Sequence, residues 1–198
     1  MISEDGVEYR GCASDDFLLT GETFVTIYRL LESNEYNADA MFEGKSAPAR
    51  LRDLIAVVTS LTELQNFGAW LGKLLEFDAL TLNEDRHLQN IAVIKKADGQ
   101  FRLMPVFDNG AAFLSDTRRD YLMSVATERL VDKVRSKPIV TQFRRQISAV
   151  EEVVGLSLKL KKGFALELDE FKHYDEREVH RVKQIIDMQT RRYPYIFD

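Results

Sequence analysis

One continuous stretch, residues 61 to 107, constrains the fold more than any other part of the chain. Leu61, Leu64, Phe67, Leu71, Leu74 and Leu75 recur mostly three and four apart. That spacing predicts a helix with a broad apolar face. Thr62 is its expected N-cap, with the Ser60 region as a competing start. The helix runs into Phe77-Asp78-Ala79-Leu80-Thr81-Leu82 and then into a polar octet, Asn83-Glu84-Asp85-Arg86-His87-Leu88-Gln89-Asn90. Ile91-Ala92-Val93-Ile94 reads as a buried strand, Ala97-Asp98-Gly99-Gln100 as a turn, and Phe101 to Phe107 as the returning strand. Asp-Gly between two apolar runs is a strong hairpin signal.

Around this centre the patterns are mostly helical. Val7 to Ser14 reads as a short strand kinked at Gly11, with turn residues at Asp15-Asp16 and Thr20-Gly21. Phe24, Ile27, Tyr28 and Leu31 predict a helix over 24–32. Residues 33–48 are rich in Ser, Asn, Gly and Ala and read as a loop. A helix is expected from Pro48, with Leu51, Leu54, Ile55 and Val58 on one face. Beyond residue 115 the pattern is helical. Ile139, Phe143, Ile147 and Val150 share one face, and Val179, Val182, Ile185, Ile186 and Gln189 mark a last helix ended by Pro194. The expected fold is therefore mainly α with a small β-hairpin, in the α+β class.

Composition narrows the function classes. Apolar residues make up 45% and charged residues 30% of the 198, as in an ordinary globular chain. No apolar run approaches the ~18 residues of a membrane span, and the acidic start Met1-Ile2-Ser3-Glu4-Asp5 is not a signal peptide. A single cysteine, Cys12, excludes an internal disulfide and suits a reducing, cytoplasmic setting. The net charge of −5 argues against a mainly nucleic-acid-binding role.

The polar octet carries the chemistry. Phosphoryl transfer needs a carboxylate that orients the attacking hydroxyl, plus an amide oxygen and a second carboxylate that hold magnesium on nucleotide phosphates. Protein kinases place the base and the Asn five positions apart on one loop, and the second metal-binding Asp on a turn after a hairpin. Asp85 and Asn90 have that spacing, and Asp108 opens Asp108-Asn109-Gly110 after the strand–turn–strand. Alone, Asp108-Asn109-Gly110 is simply a turn, and Arg86 and His87 are surface or capping residues. The order, spacing and intervening hairpin together are far more specific.

Leu82 to Val93 and Pro105-Val106-Phe107-Asp108-Asn109-Gly110 resemble the HipA-like serine/threonine kinases of bacterial toxin–antitoxin systems. They are also similar to the phosphatidylinositol kinases, whose loop reads Asp-Arg-His-x-x-Asn. The resemblance is specific over 78–112 and looser over the flanking helices, which suit the C-terminal lobe of that fold. It implies Asp85 as catalytic base and Asn90 and Asp108 as the residues binding magnesium and, through it, ATP. Arg86 and His87 would brace the loop, with His87 also near phosphate. Asp78 reads as a loop residue at the end of the helix, with a hydrogen bond to the loop backbone as the other reading. The implied function is ATP- and Mg-dependent phosphoryl transfer to a protein Ser or Thr. A lipid or small-molecule kinase, and a degenerate lobe serving as an interaction module, are the alternatives. The implied partners are a protein substrate and either an antitoxin chain or a separate N-terminal lobe, with no membrane or nucleic acid.

The departures from that pattern are at the N-terminus. A kinase holds the α/β-phosphates with a lysine on an N-lobe strand. No lysine precedes Lys45, and Gly6, Gly11 and Gly21 form no G-x-G-x-x-G loop. Residues 1–22 thus read as the last strand and hinge of an N-lobe, and 23–198 as the helical C-lobe. By itself such a chain is expected to bind ATP poorly and to be inactive, unless a lysine elsewhere, such as Lys45, completes the site. Other candidates carry less. His173 and His180, Lys159-Leu160-Lys161-Lys162 and Arg118-Arg119 read as solvated groups, and Cys12 as a small buried residue. Ser115, Thr117 and Ser124 lie where an activation segment of that fold would run and read as candidate phosphorylation sites.

Overall fold

The computed structural model describes residues 2–4, 7–9, 15–160 and 174–196. Two short strands, β1 (Ile2–Glu4) and β2 (Val7–Tyr9), pair antiparallel. Then come β3 (Thr23–Thr26), α1 (Ile27–Glu32), α2 (Ala38–Phe42), α3 (Ala47–Thr62) and α4 (Phe67–Thr81). β4 (Ala92–Lys95) and β5 (Phe101–Leu103) follow, and α5 (Thr127–Val131), α6 (Phe143–Val153) and α7 (Glu176–Arg192) complete the order. A 3-10 turn at Pro194–Ile196 follows α7. The described chain is mainly helical, with an antiparallel three-stranded sheet in the order β3-β4-β5. No helix among the described residues is long and apolar enough to cross a membrane.

Several boundaries differ from expectation. The helix expected over 24–32 is half strand. Phe24 pairs with Ile94 and Val25 with Val93, and α1 starts only after Thr26, whose side chain accepts from the Arg29 N–H at 3.1 Å. Four apolar residues at mixed spacing do not separate a helix from a strand that leads into one. The 33–48 loop contains α2, capped by the Asn37 side chain, which accepts from the Ala40 N–H at 3.0 Å. Thr62 is not an N-cap but the last residue of α3, and its hydroxyl donates to the Val58 carbonyl at 2.7 Å. Glu63 turns left-handed (φ 60°) and closes α3, so α4 begins at Phe67. The leucine spacing runs across that break because both helices bury a face in the same core. β5 ends at Leu103, short of the expected Phe107, and residues 115–126 are irregular rather than helical. The strand expected over 7–14 is seen at Val7–Tyr9, and its Gly11 kink lies outside the described residues.

Other expectations agree with the structure. α3 starts as Pro48 predicts, in a first turn where the missing N–H has no helical acceptor. Gly99 (φ 86°) supplies the positive φ of the β4–β5 turn. Pro194 follows directly on the end of α7.

α4 lies between two apolar clusters. One includes Ile27, Leu54, Leu71 and Val150, and the other Leu80, Leu130, Ile147 and Ile185. It is therefore buried nearly all round, as a helix without a polar face must be. Gly72 lets α6 approach closely, since a Cβ there would sit 2.8 Å from Val154 Cγ2. On the sheet, Arg102 of β5 is tied to the preceding turn. Its Nε donates to Glu22 Oε1 at 2.8 Å and its Nη2 to the Phe17 carbonyl at 2.7 Å. The Arg102 guanidinium holds the Glu22 carboxyl down at about 2.

Candidate functional site

The site grows from the C-terminal end of α4. Leu82 adopts a left-handed backbone (φ 56°) and stops the helix, and the Asn83 N–H donates to the Asp78 carbonyl at 2.9 Å. Asp78 is thus a helical residue, not the loop residue expected, and its side chain is fully buried. Its carboxylate accepts from Asn83 Nδ2 at 3.0 Å, from Arg86 Nε at 3.0 and 3.2 Å, and from Arg86 Nη2 at 3.1 Å. Burial pushes the Asp78 carboxyl up, while the Arg86 guanidinium and the Asn83 amide pull it back.

Arg86 is also fully buried. Its Nη1 donates to the Asn90 carbonyl at 2.9 Å and to the Phe107 carbonyl at 2.7 Å, and its Nη2 to Asn109 Oδ1 at 2.5 Å. One guanidinium therefore fastens the helix end, the end of the polar loop and the turn after the hairpin. The rigid five-donor fork of arginine suits such a junction in a way that lysine does not. Buried and fully engaged, Arg86 braces the loop and does not meet solvent.

Asn90 is buried, and its Nδ2 donates to the Asp85 carbonyl at 2.9 Å. Among the described residues nothing donates to its Oδ1. Asp108 is exposed, has a left-handed backbone (φ 52°), and makes no hydrogen bond or ion pair among the described residues. Phe107, just before it, packs edge-on against Phe24 of β3 with ring centroids 5.2 Å apart. Asp85 is half-buried. Its Oδ1 accepts from Lys137 Nζ at 3.0 Å, and its Oδ2 lies 3.7 Å from His87 Nε2. His87 Nδ1 accepts from the Gln89 N–H at 3.2 Å, so a neutral ring carries its proton on Nε2, facing Asp85.

The loop is also fastened from the far side. Tyr121 donates its hydroxyl to Glu84 Oε2 at 2.5 Å, and burial, followed by the Glu84 carboxylate, pushes that phenol up. Arg181 of α7 donates to the carbonyls of Tyr121, Leu122 and Val125 at 2.6 to 3.2 Å. Ser115 donates to the Gly110 carbonyl at 2.6 Å, while Ser124, Arg118 and Arg119 are exposed and Thr117 is half-buried. Beside the loop, α1 and α2 enclose a cleft of about 620 Å³ lined by Tyr28, Glu32, Tyr36, Asp39, His87 and Lys137.

Sequence reasoning named Asp78 but expected it in a loop, although an aspartate within the apolar run Leu74–Leu82 signals a buried charge in need of a partner, and it missed Lys137 altogether. Lys137 had no such signal, since it lies 52 residues beyond Asp85 in an ordinary Lys-Pro loop. Lys45, the lysine considered for the site, is paired with Asp53 at 2.6 Å. Of the minor candidates, His180 is exposed on α7, and Cys12, His173, Lys161 and Lys162 lie outside the described residues.

Among the described residues no three His, Cys, Asp or Glu side chains cluster as a metal cage. The unpaired Asn90 Oδ1 and Asp108 carboxylate are nonetheless hard oxygen donors. They suit magnesium, which commonly takes one or two protein ligands and completes its shell with phosphate and water. No family model matches the chain, and no curated protein or solved structure matches it either.

Proposed function

We propose that this chain is the acceptor- and metal-binding part of a kinase-type phosphotransferase, in which residues 23–198 correspond to the helical C-lobe that HipA-like kinases share. The reaction is transfer of the terminal phosphoryl group of ATP to a serine or threonine hydroxyl of a protein. One observation carries this reading. A fully buried arginine ties the Asp85–Asn90 loop to the turn that bears Asp108. Two separate segments with the spacing of a base and two metal ligands are thereby held in one place. A simple surface turn has no need of so buried a junction.

Each residue then has a physical task. Asp85 orients the acceptor hydroxyl and takes its proton. Asn90 Oδ1 and Asp108 would hold magnesium. A bound ion would offset charge on the phosphates and on the leaving diphosphate. Arg86 and Asp78 position the loop without touching substrate. The acceptor enters from the cleft between α1, α2 and His87. A lysine and a roof over the nucleotide come from residues outside this site or from a partner lobe, so the chain by itself binds ATP weakly.

The test, on the chain combined with the lobe that completes the nucleotide site, is transfer of radiolabel from γ-labelled ATP to serine- and threonine-containing proteins, with magnesium. Label should appear on hydroxyl side chains and be lost in Asp85→Asn, while nucleotide contact survives. Asp108→Asn should lose both. Transfer at wild-type rate in both variants would overturn the assignment.

A further inference from the structure

We propose that Lys137 is a catalytic residue of this site, the cation that contacts the transferred phosphoryl group on the acceptor side. The inference rests on the phosphotransferase reading above and goes beyond it.

Phosphate approaching this site meets Asp85 and Asp108, two carboxylates that repel it, and a transfer site needs cationic donors to offset them. Lys45 is taken by Asp53. Among the described residues, Lys137 is the lysine that reaches the loop, its Nζ 3.0 Å from Asp85 Oδ1.

The pair is not explained by stability. The Lys137 and Asp85 side chains are 49% and 45% exposed, and an ion pair that open to water contributes little to folding. Yet the loop that presents Lys137 is firmly held on both sides. Ser136 is buried, its hydroxyl donates to the Val140 carbonyl at 2.6 Å, and its N–H donates to the Thr141 carbonyl at 3.3 Å. Ile139 is fully buried, and its carbonyl accepts from Arg50 Nη1 of α3 at 3.1 Å. Anchored neighbours with one outward lysine present a fixed charge at the place where Asp85 is to act.

The donor count fits as well. An ammonium has three N–H donors, and Asp85 uses one, leaving two for phosphate oxygens. Lys137 occupies Asp85 Oδ1. Oδ2 stays open, because His87 Nε2 at 3.7 Å is beyond hydrogen-bond length. In the transfer, the acceptor oxygen forms a bond to the γ-phosphorus and the bond from that phosphorus to the bridging oxygen breaks. The electron pair leaves on the diphosphate, and the acceptor proton passes to Asp85 Oδ2. Lys137 keeps all its protons and donates to the moving phosphoryl oxygens throughout.

The experiment titrates the full isotope-labelled chain with magnesium tripolyphosphate and follows backbone amide and lysine ammonium resonances. Wild type should show shifts at Asn90, Asp108 and the Lys137 ammonium. Lys137→Ala should bind about tenfold more weakly, the loss of one charge-assisted hydrogen bond. Lys137→Arg should stay within roughly threefold of wild type, because the charge and donors remain. Unchanged binding in Lys137→Ala, with binding lost in Asp108→Asn, would overturn the role of Lys137 and leave the phosphotransferase reading standing. No shift at Asn90 or Asp108 in wild type would overturn both. Tighter binding in Lys137→Ala would show that the lysine blocks the site, and would also overturn the inference.

Discussion

Replacing Arg86 with alanine strips the site of its central junction, and the structure sets the size of the effect. The substitution leaves Asp78, fully buried in α4, without its cation. Breaking a buried pair by removing one partner costs about 3–5 kcal/mol. The carbonyls of Asn90 and Phe107 lose their shared donor as well, so the upper part of that range is expected. For a chain of this size each kcal/mol moves Tm by roughly 2–4 °C, so a loss of about 4–5 kcal/mol gives a fall of about 8–20 °C. Thermal and urea melts followed by far-ultraviolet circular dichroism measure it. Arg86→Met combined with Asp78→Leu removes both charges and should recover part of the loss, though not the site, because the loop and turn are no longer tied. A loss below about 1 kcal/mol for Arg86→Ala, the size of an ordinary surface change, would refute the bracing role.

Two further predictions concern the scaffold. The Glu22 carboxyl is held at about 2 against an ordinary 4.5, so the folded state binds fewer protons than the unfolded state in that interval. Its stabilisation is complete above pH 4.5 and is lost as pH falls from 4.5 towards 2. Urea midpoints across this range should fall with acid, and Glu22→Gln should flatten the fall; an identical slope in the variant would contradict the account. Gly72→Ala should destabilise by about 1 kcal/mol net, overpacking against Val154 outweighing the gain in helix propensity. Val154→Ala in the same chain should restore the midpoint, and no restoration would place the strain elsewhere.

The parts of the fold that sequence made legible are those with a local cause. The β4–β5 hairpin followed from Asp98-Gly99 between apolar runs, and α3 from Pro48 and its apolar face. α7 followed from its periodicity and Pro194. Where the cause is tertiary, sequence misled. β3 exists because β4 offers an edge to Phe24 and Val25, and Leu61, Leu64 and Phe67 share a core across a left-handed break at Glu63. The site divides in the same way. The spacing of Asp85, Asn90 and Asp108, on which the proposed site rests, is legible in the sequence. The partners that fix or flank them, Asp78 and Lys137, are set by burial and by a loop from far along the chain.

The central claim is that Asn90 and Asp108 receive a metal-bound nucleotide phosphate beside Asp85, and paramagnetic broadening with manganese as the magnesium surrogate tests it most directly. The isotope-labelled chain is titrated with manganese–ATP at substoichiometric metal, a measurement that locates the ion even when binding is weak. Broadening centred on Asn90, Asp108 and the loop around Asp85, and abolished in Asp108→Asn, is the predicted result. Broadening centred instead on the exposed carboxylates Glu32, Glu35 and Asp39 of the neighbouring cleft, and indifferent to Asp108→Asn, would contradict the account.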